Sequence, residues 1–426
     1  MRNLGNLIKN LSQAIITLGG KGTRLNSITD EIPKPLWPVS GKHTLERSIE
    51  FFQKQGINEF ILLVGYKANL FEKESIHLAN KFNVKIFIYI EDGPKGEAGS
   101  LLYIADKLKD NFIFVNGDII FEIDIKKINH FHIKNDADIT FVTHLTNHPE
   151  DSDCIIETPQ LTIDTYKLKT DKLDIEGMFL GFAGIAVFKK KVVTKIKNSK
   201  INKNCELSIF KDFIIGAHKI GLKAFSYNTS EYLKDMGTPQ RLFKVEKDIE
   251  EGLISKRCYL NKQRALFLDR DNTLIKCEKG EYITDISQIL VFSERIKKIN
   301  QICKKYDIVL LITNQPQIAM GYVDWQTVIV INGYLIKVCQ EKGLDISGFY
   351  ICPHHPHKGF EGEIKSLKTN CFCRKPAPGM FIEASFERNI SLEDSCLIGD
   401  SWRDELSSSI CGMKFINTKE LDSEIF

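Results

Sequence analysis

Two carboxylates follow an apolar run in the second half of the chain, and their spacing suits chemistry on phosphate. The run Ala265–Leu268 leads into Asp269 and Asp271, in the order Asp-Arg-Asp-Asn-Thr. At the end of a strand such a pair can share one magnesium ion, while one carboxylate attacks phosphorus and the other handles the proton of the leaving group. A solvated loop can carry the same pair, so the neighbouring segments decide the interpretation.

Later segments supply the other groups that a phosphate site needs. Thr313 follows a second apolar run and offers a hydroxyl, Arg374 and Lys375 offer cations, and Asp400 follows a third apolar run. Ligand sites of α/β proteins lie at the carboxyl ends of the strands. We therefore interpret these segments, in this order, as one magnesium-dependent phosphate site.

A cysteine-rich segment lies beside these cations. The pattern Cys-x-His, followed by Cys-x-Cys, offers four soft or borderline ligands and leaves no open position, which predicts a structural zinc site. The ligands would be Cys352, His354, Cys371 and Cys373. His355 and His357 compete with His354 for the single histidine position, and buried cysteines with a surface histidine are the alternative to a metal site.

A glycine-rich loop and a lysine between two prolines stand near the start of the chain. Gly-Gly-Lys-Gly-Thr-Arg, residues 19–24, follows the apolar run 14–18, and its glycines let backbone N–H groups approach an anion closely. Arg24 can bind phosphate with its fork of donors, and the Pro-Lys-Pro sequence fixes Lys34 on a stiff turn. Asp118 follows a further apolar run. A glycine cluster alone is more often a tight turn, but this combination is far more specific.

Alternating strands and helices must position these groups. Short apolar runs that end in functional loops predict buried parallel strands, with helices between them, and hence a doubly wound α/β sheet in each half. We predict two domains, residues 1–250 and 264–426, joined by a charged linker at 251–263. The predicted strands are 14–18, 59–64, 112–115, 139–142, 265–268, 308–312 and 395–398, and the predicted helices include 44–55 and 294–305.

Composition narrows the class of protein. The 426 residues are 43% hydrophobic and 27% charged with a net charge of +3, which is close to the globular average and too balanced to predict nucleic-acid or membrane-surface binding. No apolar run is long enough for a transmembrane helix, and the first residues do not resemble a secretory signal. Eleven cysteines without such a signal favour a reducing, cytoplasmic setting. A homo-oligomer is compatible with the sequence.

The combination Gly-Gly-x-Gly-Thr-Arg-Leu with Pro-Lys-Pro-Leu resembles the sugar-nucleotide nucleotidyltransferases, over residues 13–245. This resemblance implies a Rossmann-like domain in which Arg24 and Lys34 assist catalysis and two aspartates, Asp118 and Asp235, hold Mg²⁺. It also implies the nucleotide- and sugar-binding residues Gly19, Gly20, Gly22, Thr23, Gly99 and Lys169. The sequence departs from the family at Leu18, Glu97 and Phe182.

The four segments of the second half resemble the motifs of haloacid-dehalogenase-like phosphatases over residues 264–416, and the zinc loop resembles that of D-glycero-D-manno-heptose 1,7-bisphosphate 7-phosphatases. Histidinol-phosphatases share much of this loop. The resemblance implies Asp269 as nucleophile, Asp271 as general acid and base, His354 as the zinc-binding histidine, and Asp404 as a supporting residue. The implied phosphate- and substrate-binding residues are Thr313, Asn314, Arg374 and Lys375, and the implied Mg²⁺ ligands are Asp269, Asp271 and Asp400. The sequence departs from the family at Pro316, Gln317 and Met320.

Together the two resemblances imply a bifunctional enzyme of nucleotide-sugar synthesis. The phosphatase half would form a heptose 1-phosphate from the 1,7-bisphosphate, and the other half would convert it with GTP to GDP-heptose and pyrophosphate. Mg²⁺ and Zn²⁺ would be its cofactors and small molecules its partners. The alternatives are a mannose-1-phosphate guanylyltransferase or other sugar nucleotidyltransferase fused to a histidinol-phosphatase-like domain, or one half that is a non-catalytic binding module.

Overall fold

The computed structural model describes residues 11–20, 32–146, 149–158, 160–171, 180–198, 206–229, 231–278 and 280–423. The chain divides into two compact units. The first comprises Met1–Thr143, Gln160–Asp164 and Phe182–Cys258, and the second comprises His144–Pro159, Thr165–Gly181 and Tyr259–Phe426. The boundary between Cys258 and Tyr259 lies inside the segment that was predicted as the linker, residues 251–263. The stretches 144–159 and 165–181, which lie within the predicted first domain, group with the second unit.

The elements from the start of the chain to residue 258 alternate between strands and helices. The strands are β1 (Gln13–Thr17), β2 (Pro38–Val39), β3 (Lys42–His43), β4 (Glu59–Val64), β5 (Lys85–Ile90), β6 (Asn111–Asn116), β7 (Ile119–Phe121), β8 (Ile139–Leu145), β9 (Cys154–Glu157), β10 (Ile163–Lys167), β11 (Leu180–Lys189), β12 (Ala224–Asn228) and β13 (Leu233–Asp235). The helices are α1 (Thr44–Lys54), α2 (Ala68–Phe82), α3 (Ile125–Lys134), α4 (Lys190–Asn198), α5 (Gly216–Lys219), α6 (Pro239–Glu250) and α7 (Leu253–Lys256), with a π-helix at Ile209–Ile215 before α5.

The sheet of the first unit is built around parallel strands. Its order is β11-β6-β1-β4-β5, in which β1 pairs parallel with β4 and β6, β4 pairs parallel with β5, and β11 pairs antiparallel with β6. The inner positions of β1, β4 and β6 are apolar and buried, as expected of strands that are covered on both faces of a sheet. The predicted strands at 14–18, 59–64, 112–115 and 139–142 are confirmed within one to three residues at each end. The carboxyl ends of β1, β4 and β6 therefore meet at one edge.

The remaining elements of the second unit form a smaller parallel sheet. Its strands are β14 (Ala265–Leu268), β15 (Ile308–Asn314), β16 (Gly348–Cys352), β17 (Cys396–Gly399) and β18 (Lys414–Asn417), in the order β16-β15-β14-β17-β18. Its helices are α8 (Ser293–Cys303), α9 (Trp325–Glu341), α10 (Gly379–Glu387), α11 (Trp402–Ile410) and α12 (Thr418–Asp422).

Alternate residues of β14 enter two separate cores. Leu266 and Leu268 pack in one apolar cluster, and Ala265 and Phe267 pack in another on the opposite face. This alternation is expected of a strand that is buried on both sides. In the part of the chain that the structure describes, no helix has the length and apolar character needed to cross a bilayer.

Candidate active sites

A cavity of about 900 Å³ opens at the carboxyl ends of the parallel strands in the first unit. The predicted glycine loop contributes Gly19 and Gly20 to its wall, and Lys34 and Asp118 also line it. Further lining residues are Thr17, Leu18, Pro35, Gly65, Tyr66, Glu91, Asp92, Gly93, Pro94, Lys95, Gly96, Glu97, Asn116, Gly117, Glu206 and Gly237. Glycines, two lysines and several carboxylates thus surround a space of the size that small-molecule ligands occupy.

Lys34 and Asp118 form an ion pair at the edge of this cavity. The Nζ atom of Lys34 lies 2.5 Å from Oδ2 of Asp118, although the two residues are 84 positions apart in the chain. The lysine side chain is only 8% exposed, whereas that of Asp118 is 36% exposed and open toward the cavity. The short 3₁₀ turn Lys34–Leu36, which begins after Pro33, holds the lysine in this position.

Asp235 reaches the same place from a distant part of the sequence. Strand β13 pairs antiparallel with β7 so that Asp235 lies opposite Ile119, and the N–H of Met236 donates to the carbonyl of Asp118 at 3.0 Å. The residues Asp118 and Asp235, which were predicted to hold a metal, are therefore neighbours in the fold, although Asp235 is not among the residues that line the cavity. Burial acts to raise the pKa of Asp235, but the Gly237 N–H at 2.8 Å and the Arg241 guanidinium at 3.0 Å hold it below its usual value.

Glu91 was not identified from the sequence, because no motif marks it. Its Oε1 accepts a hydrogen bond of 2.5 Å from the Ser100 hydroxyl. A Cβ atom on Gly19 would lie 2.7 Å from its Oε2, so a larger residue at that position would make the carboxylate move away from the loop. Burial raises the pKa of Glu91, and the bond from Ser100 opposes that rise. The structure thus places one accepting carboxylate beside the glycine loop.

The structure does not place the other predicted residues of the first site in this cavity. Gly22, Thr23 and Arg24 are outside the described residues. Gly99 is buried at the start of the short turn Gly99–Leu102 and is not among the residues that line the cavity. Lys169 is not among these lining residues; its N–H and Nζ are held by Asp153, and both residues group with the second unit.

The second site is centred on a buried lysine that joins two aspartates. The Nζ atom of Lys375 lies 2.6 Å from Oδ1 of Asp269 and 2.6 Å from Oδ1 of Asp404, and it also donates to the Ile312 carbonyl at 3.0 Å. All three charged residues are at least nine-tenths buried. Asn314 fixes the loop that carries the lysine, since its side chain bonds the backbone N–H and C=O of Lys375 at 3.0 Å each.

Three carboxylates converge beside this lysine. Asp269, Asp400 and Asp404 each offer an oxygen, and these oxygens lie within 4.8 Å of one another. Glycine at 399 makes the approach of Asp404 feasible, because a Cβ there would lie 2.5 Å from the carboxylate carbon. Burial raises the pKa of Asp269 to about 7, opposed by the charge of Lys375. Burial likewise raises the pKa of Asp400, with the Asp404 charge adding to it. A divalent cation fits this oxygen-rich, negatively charged set.

Asp271 has different partners from those implied by the sequence. Its carboxylate pairs with the buried Arg270 through two bonds of 3.0 and 3.1 Å and accepts from Gln315 at 3.1 Å, so it is not one of the three converging oxygens. Gln315 also donates to the hydroxyl of the fully buried Thr313 at 2.7 Å. Arg270 and Gln315 were not predicted as site residues, although both lie inside the motifs that were recognised.

The predicted zinc ligands converge. The Sγ atoms of Cys352, Cys371 and Cys373 lie 3.2–3.5 Å apart, and Nδ1 of His354 lies 3.2 Å from Sγ of Cys373. Ligands of a tetrahedral zinc with Zn–S bonds of about 2.3 Å stand roughly 3.8 Å apart, so the set fits that ion. The hydrogen bond between Cys352 and Cys373 lowers the pKa of Cys373 to about 5 and raises the pKa of Cys352. His354, and not His355 or His357, belongs to the group.

A cavity of about 440 Å³ opens beside the zinc-ligand cluster and reaches Lys375. Two arginines, Arg374 and Arg403, contribute to its wall, and Arg403 was not predicted. The remaining lining residues are His355, Pro356, His357, Thr369, Asn370, Cys371, Pro376 and Ala377.

Comparison with known proteins gives a match for each half. The family model described as "Nucleotidyl transferase" matches residues 13–252. The mannose-1-phosphate guanylyltransferase of Mycobacterium tuberculosis is 27% identical over 56% of this chain, which spans 65% of that protein's length. The D-glycero-α-D-manno-heptose 1-phosphate guanylyltransferase of Aneurinibacillus thermoaerophilus is 28% identical over 56% of this chain and 98% of its own length.

The second half has its own relative. The D-glycero-β-D-manno-heptose-1,7-bisphosphate 7-phosphatase of Pasteurella multocida is 34% identical over 37% of this chain and 80% of its own length. A solved structure from Bacillus anthracis, named as a glucose-1-phosphate thymidylyltransferase, matches 56% of this chain and 94% of its own with a TM-score of 0.50 and 21% identity, which shows a shared fold. The chain therefore belongs to the nucleotidyl transferase family through residues 13–252, and it also belongs to the family of the Pasteurella multocida phosphatase.

Proposed function

We propose that this chain carries out two successive steps of nucleotide-sugar synthesis. Its phosphatase removes the 7-phosphate of D-glycero-D-manno-heptose 1,7-bisphosphate, and its guanylyltransferase joins the resulting heptose 1-phosphate to GTP, releasing pyrophosphate and GDP-heptose. The observation that carries the proposal is the presence of two separate sites in one chain. One pairs Lys34 and Asp118 beside a glycine loop, and the other joins Asp269 and Asp404 through Lys375.

In the first site, an anionic sugar phosphate must approach an anionic nucleoside triphosphate. Asp118 and Asp235 fit as ligands of Mg²⁺, which would neutralise phosphate charge when bound. Lys34 would contact the same phosphates. The resemblance of the glycine loop to the family motif assigns Arg24 to phosphate binding as well. The sugar phosphate attacks the α-phosphorus and pyrophosphate leaves, so the protein has to position the reactants and needs no covalent intermediate.

The preference for guanine is supported by Glu91. Guanine presents two adjacent donors, N1–H and N2–H, on its Watson–Crick edge, and a carboxylate can accept from both. Oε2 of Glu91 lies against Gly19, while Oε1 is oriented by Ser100. Adenine, cytosine and uracil lack this pair of donors. We therefore assign base selection in this cavity to Glu91.

In the second site, the parallel sheet with Asp269 at the end of its central strand supports a haloacid-dehalogenase-like phosphatase. Asp269 attacks the phosphorus of the 7-phosphate and forms an aspartyl-phosphate, and the departing sugar oxygen takes a proton from Asp271. Asp271 then accepts a proton from the water that attacks the phosphorus of this acyl phosphate, which releases inorganic phosphate and restores the Asp269 carboxylate. Lys375 and Thr313 bind the phosphoryl oxygens. Asp269 and Asp400 would hold Mg²⁺, which supplies charge neutralisation when bound.

The zinc site has a structural role in this proposal. Three thiols and one imidazole complete a tetrahedral set and leave no position for substrate. The loop between Cys352 and Cys373 is closed by these ligands directly before Arg374 and Lys375, so zinc binding fixes the segment that carries both cations.

Some features of the proposal rest on the sequence and on chemistry alone. We propose the domain boundaries at 250 and 264. We also propose a cytoplasmic location, since GTP is the proposed substrate and no cysteine of the described ranges forms a disulfide. The competing substrate for the first half is mannose 1-phosphate, favoured by the Mycobacterium tuberculosis relative. For the second half it is histidinol phosphate, favoured by its zinc loop.

A substrate screen with separate readouts tests the proposal. The purified full chain is incubated with each of the four nucleoside triphosphates and with heptose or mannose 1-phosphate, and pyrophosphate is measured. Inorganic phosphate is measured in parallel with heptose 1,7-bisphosphate or histidinol phosphate. We expect the heptose compounds and GTP to give the highest kcat/KM. A higher value with mannose 1-phosphate or histidinol phosphate would contradict the assignment of that half.

A further inference from the structure

A buried row of polar side chains connects Gln317 to Asp271. Thr313, Gln315 and Gln317 belong to one stretch of chain, from the last residues of β15 onward, and each is at most 1% exposed. Nε2 of Gln317 donates to Oε1 of Gln315 at 2.5 Å. Nε2 of Gln315 in turn donates to Oδ2 of Asp271 at 3.1 Å and to Oγ1 of Thr313 at 2.7 Å. The row thus ends on the proposed general acid and on a proposed phosphate ligand.

The direction of the Gln315 amide decides what these two neighbours can do. With both N–H groups donating, the Asp271 carboxylate receives a donor, and the hydroxyl proton of Thr313 is left to donate to a phosphoryl oxygen. The opposite direction would set the amide oxygen against the carboxylate, where two acceptors repel each other, and would take up the Thr313 proton. The two ends of an amide have nearly the same size, so its hydrogen-bond partners must set its direction.

Gln317 is the partner that holds the other end of this amide. Its N–H group faces Oε1 of Gln315, and its own backbone carbonyl accepts from the Tyr322 N–H at 3.0 Å. In the described part of the chain, Oε1 of Gln317 has no hydrogen-bond partner. Turning both amides would therefore replace one unpaired acceptor by two unpaired buried donors, which is less favourable. The observed direction is the stable one as long as residue 317 carries a donor.

We propose that Gln317 is a positioning residue of the phosphatase, because it holds the Gln315 amide in the direction that orients Asp271 and Thr313. The proposal rests on the proposed phosphatase function and deepens it. The step concerned is the first one: a bond forms between Asp269 and phosphorus, the bond from phosphorus to the sugar oxygen breaks, and this oxygen takes the proton of Asp271. Position 317 departs from the phosphatase motif, so this device belongs to this chain and not to the motif.

The test compares two substrates whose leaving groups differ in their need for a proton. A sugar oxygen needs the proton of Asp271 to leave, whereas p-nitrophenolate leaves as an anion. Gln317→Met keeps the size of the side chain and removes its donor. In this full-length variant, kcat/KM for heptose 1,7-bisphosphate should fall about 10- to 30-fold, a part of the roughly 10²–10⁴-fold that general acid catalysis contributes. For p-nitrophenyl phosphate the fall should stay within about threefold, because only the contact of Thr313 with the phosphoryl group is weakened.

Two further variants sharpen this comparison. Gln317→Glu accepts where the glutamine donates, so it turns the Gln315 oxygen toward Asp271 and should lower kcat/KM for the bisphosphate further than Gln317→Met does. Gln340→Met is the control, since Gln340 bonds to Asp345 at the surface, and it should change neither substrate. Equal losses with both substrates, or no loss with the bisphosphate, would overturn the proposal, because a side chain that only packs has no preference between leaving groups.

A measurement without turnover separates this proposal from the proposed function. The side-chain amide protons of the full chain, labelled with ¹⁵N-glutamine, are followed by NMR during exchange into deuterium oxide, and Gln315→Met identifies the Gln315 signals. Gln315 should exchange at least about tenfold more slowly than Gln340, and Gln317→Met should speed this exchange at least about fivefold. If the wild type hydrolyses neither substrate, the proposed function fails, and the exchange rates still decide the role of Gln317. An exchange rate that Gln317→Met leaves unchanged would overturn the proposal.

Discussion

Replacing Glu91 by glutamine tests how the first cavity selects its nucleotide. The change keeps the size of the side chain and one oxygen acceptor, but it removes the negative charge and turns the other oxygen into a donor. Oε1 of Glu91 already accepts from the Ser100 hydroxyl at 2.5 Å, so the glutamine oxygen can keep that bond only by turning its amide group toward Gly19. The amide would then face the two donors of guanine.

The size of the effect follows from the bonds that are lost. A hydrogen bond to a charged group contributes about 1.5–3 kcal/mol, and the variant loses at least one such bond to guanine. At about 1.4 kcal/mol for each factor of ten, kcat/KM for GTP should fall roughly 10- to 100-fold. ATP, UTP and CTP have no pair of donors for the carboxylate to accept, so their values should change little.

The assay measures pyrophosphate release with each nucleoside triphosphate at saturating heptose 1-phosphate. Asp92→Asn is the matched control, because Asp92 also lines the cavity but is exposed and paired with Lys95 at 2.8 Å. It should leave the order of nucleotide preference unchanged. An unchanged preference for GTP in Glu91→Gln, or an equal loss with all four nucleotides, would refute base reading by this carboxylate.

Three further predictions concern separate parts of the chain. Asp269→Asn removes the proposed nucleophile, so phosphate release should fall by at least roughly 10³-fold while pyrophosphate release stays within about twofold of the wild type. Cys371→Ser removes one of the four proposed zinc ligands, so metal analysis should show the loss of one bound zinc per chain, and thermal unfolding should begin at a lower temperature. Cys411→Ser is the control and should change neither the zinc content nor the temperature at which unfolding begins. Burial raises the pKa of Glu231 to about 7, so the folded chain retains a proton that the unfolded chain releases near pH 4.5, and stability should fall as pH rises between these values. Glu231→Gln removes this dependence on pH. The free energy of unfolding of the variant, measured in urea, should therefore rise relative to that of the wild type by about 2–3 kcal/mol from pH 5 to pH 8.

Each of these has an outcome that contradicts it. Loss of both activities in Asp269→Asn would mean that the two reactions depend on one site or on one folding unit. A wild-type protein purified without zinc, and insensitive to Cys371→Ser, would leave the cysteine cluster without a metal role. A constant difference between Glu231→Gln and the wild type at both pH values would show that the buried carboxyl group does not titrate as its surroundings indicate.

The strands that lead to both sites could be predicted because each is encoded by a pattern of consecutive residues. The run Ala265–Leu268 is apolar at every position and ends at Asp269, and the structure forms a buried strand with these bounds. The same reasoning placed Asp118 after β6. A strand buried on both faces needs apolar side chains throughout, and its ligand-binding groups must follow its carboxyl end. These constraints are local, so they can be read from consecutive residues.

The contacts that assemble each site were not predictable in the same way. Lys375 meets Asp269 across 106 positions and Asp404 across 29, and no local pattern states that one lysine joins both. Glu91 follows an ordinary edge strand and becomes a site residue only because Gly19 leaves room for it. Lys169 matched a motif loosely, and the structure pairs it with Asp153 and does not include it among the residues that line the cavity of the first unit.

The sequence by itself determined the two classes of chemistry, because glycine loops, Asp-x-Asp pairs and Cys-x-His with Cys-x-Cys each require particular residue types at fixed short spacings. Only the tertiary structure decided which charges compensate one another and which remain available for a ligand. Arg270 and Arg403 have the same side chain, yet one is fully buried against Asp271 and the other faces a cavity without carboxylates. That difference depends on packing between segments far apart in the chain, where the strength of each charge is set by its burial and its neighbours.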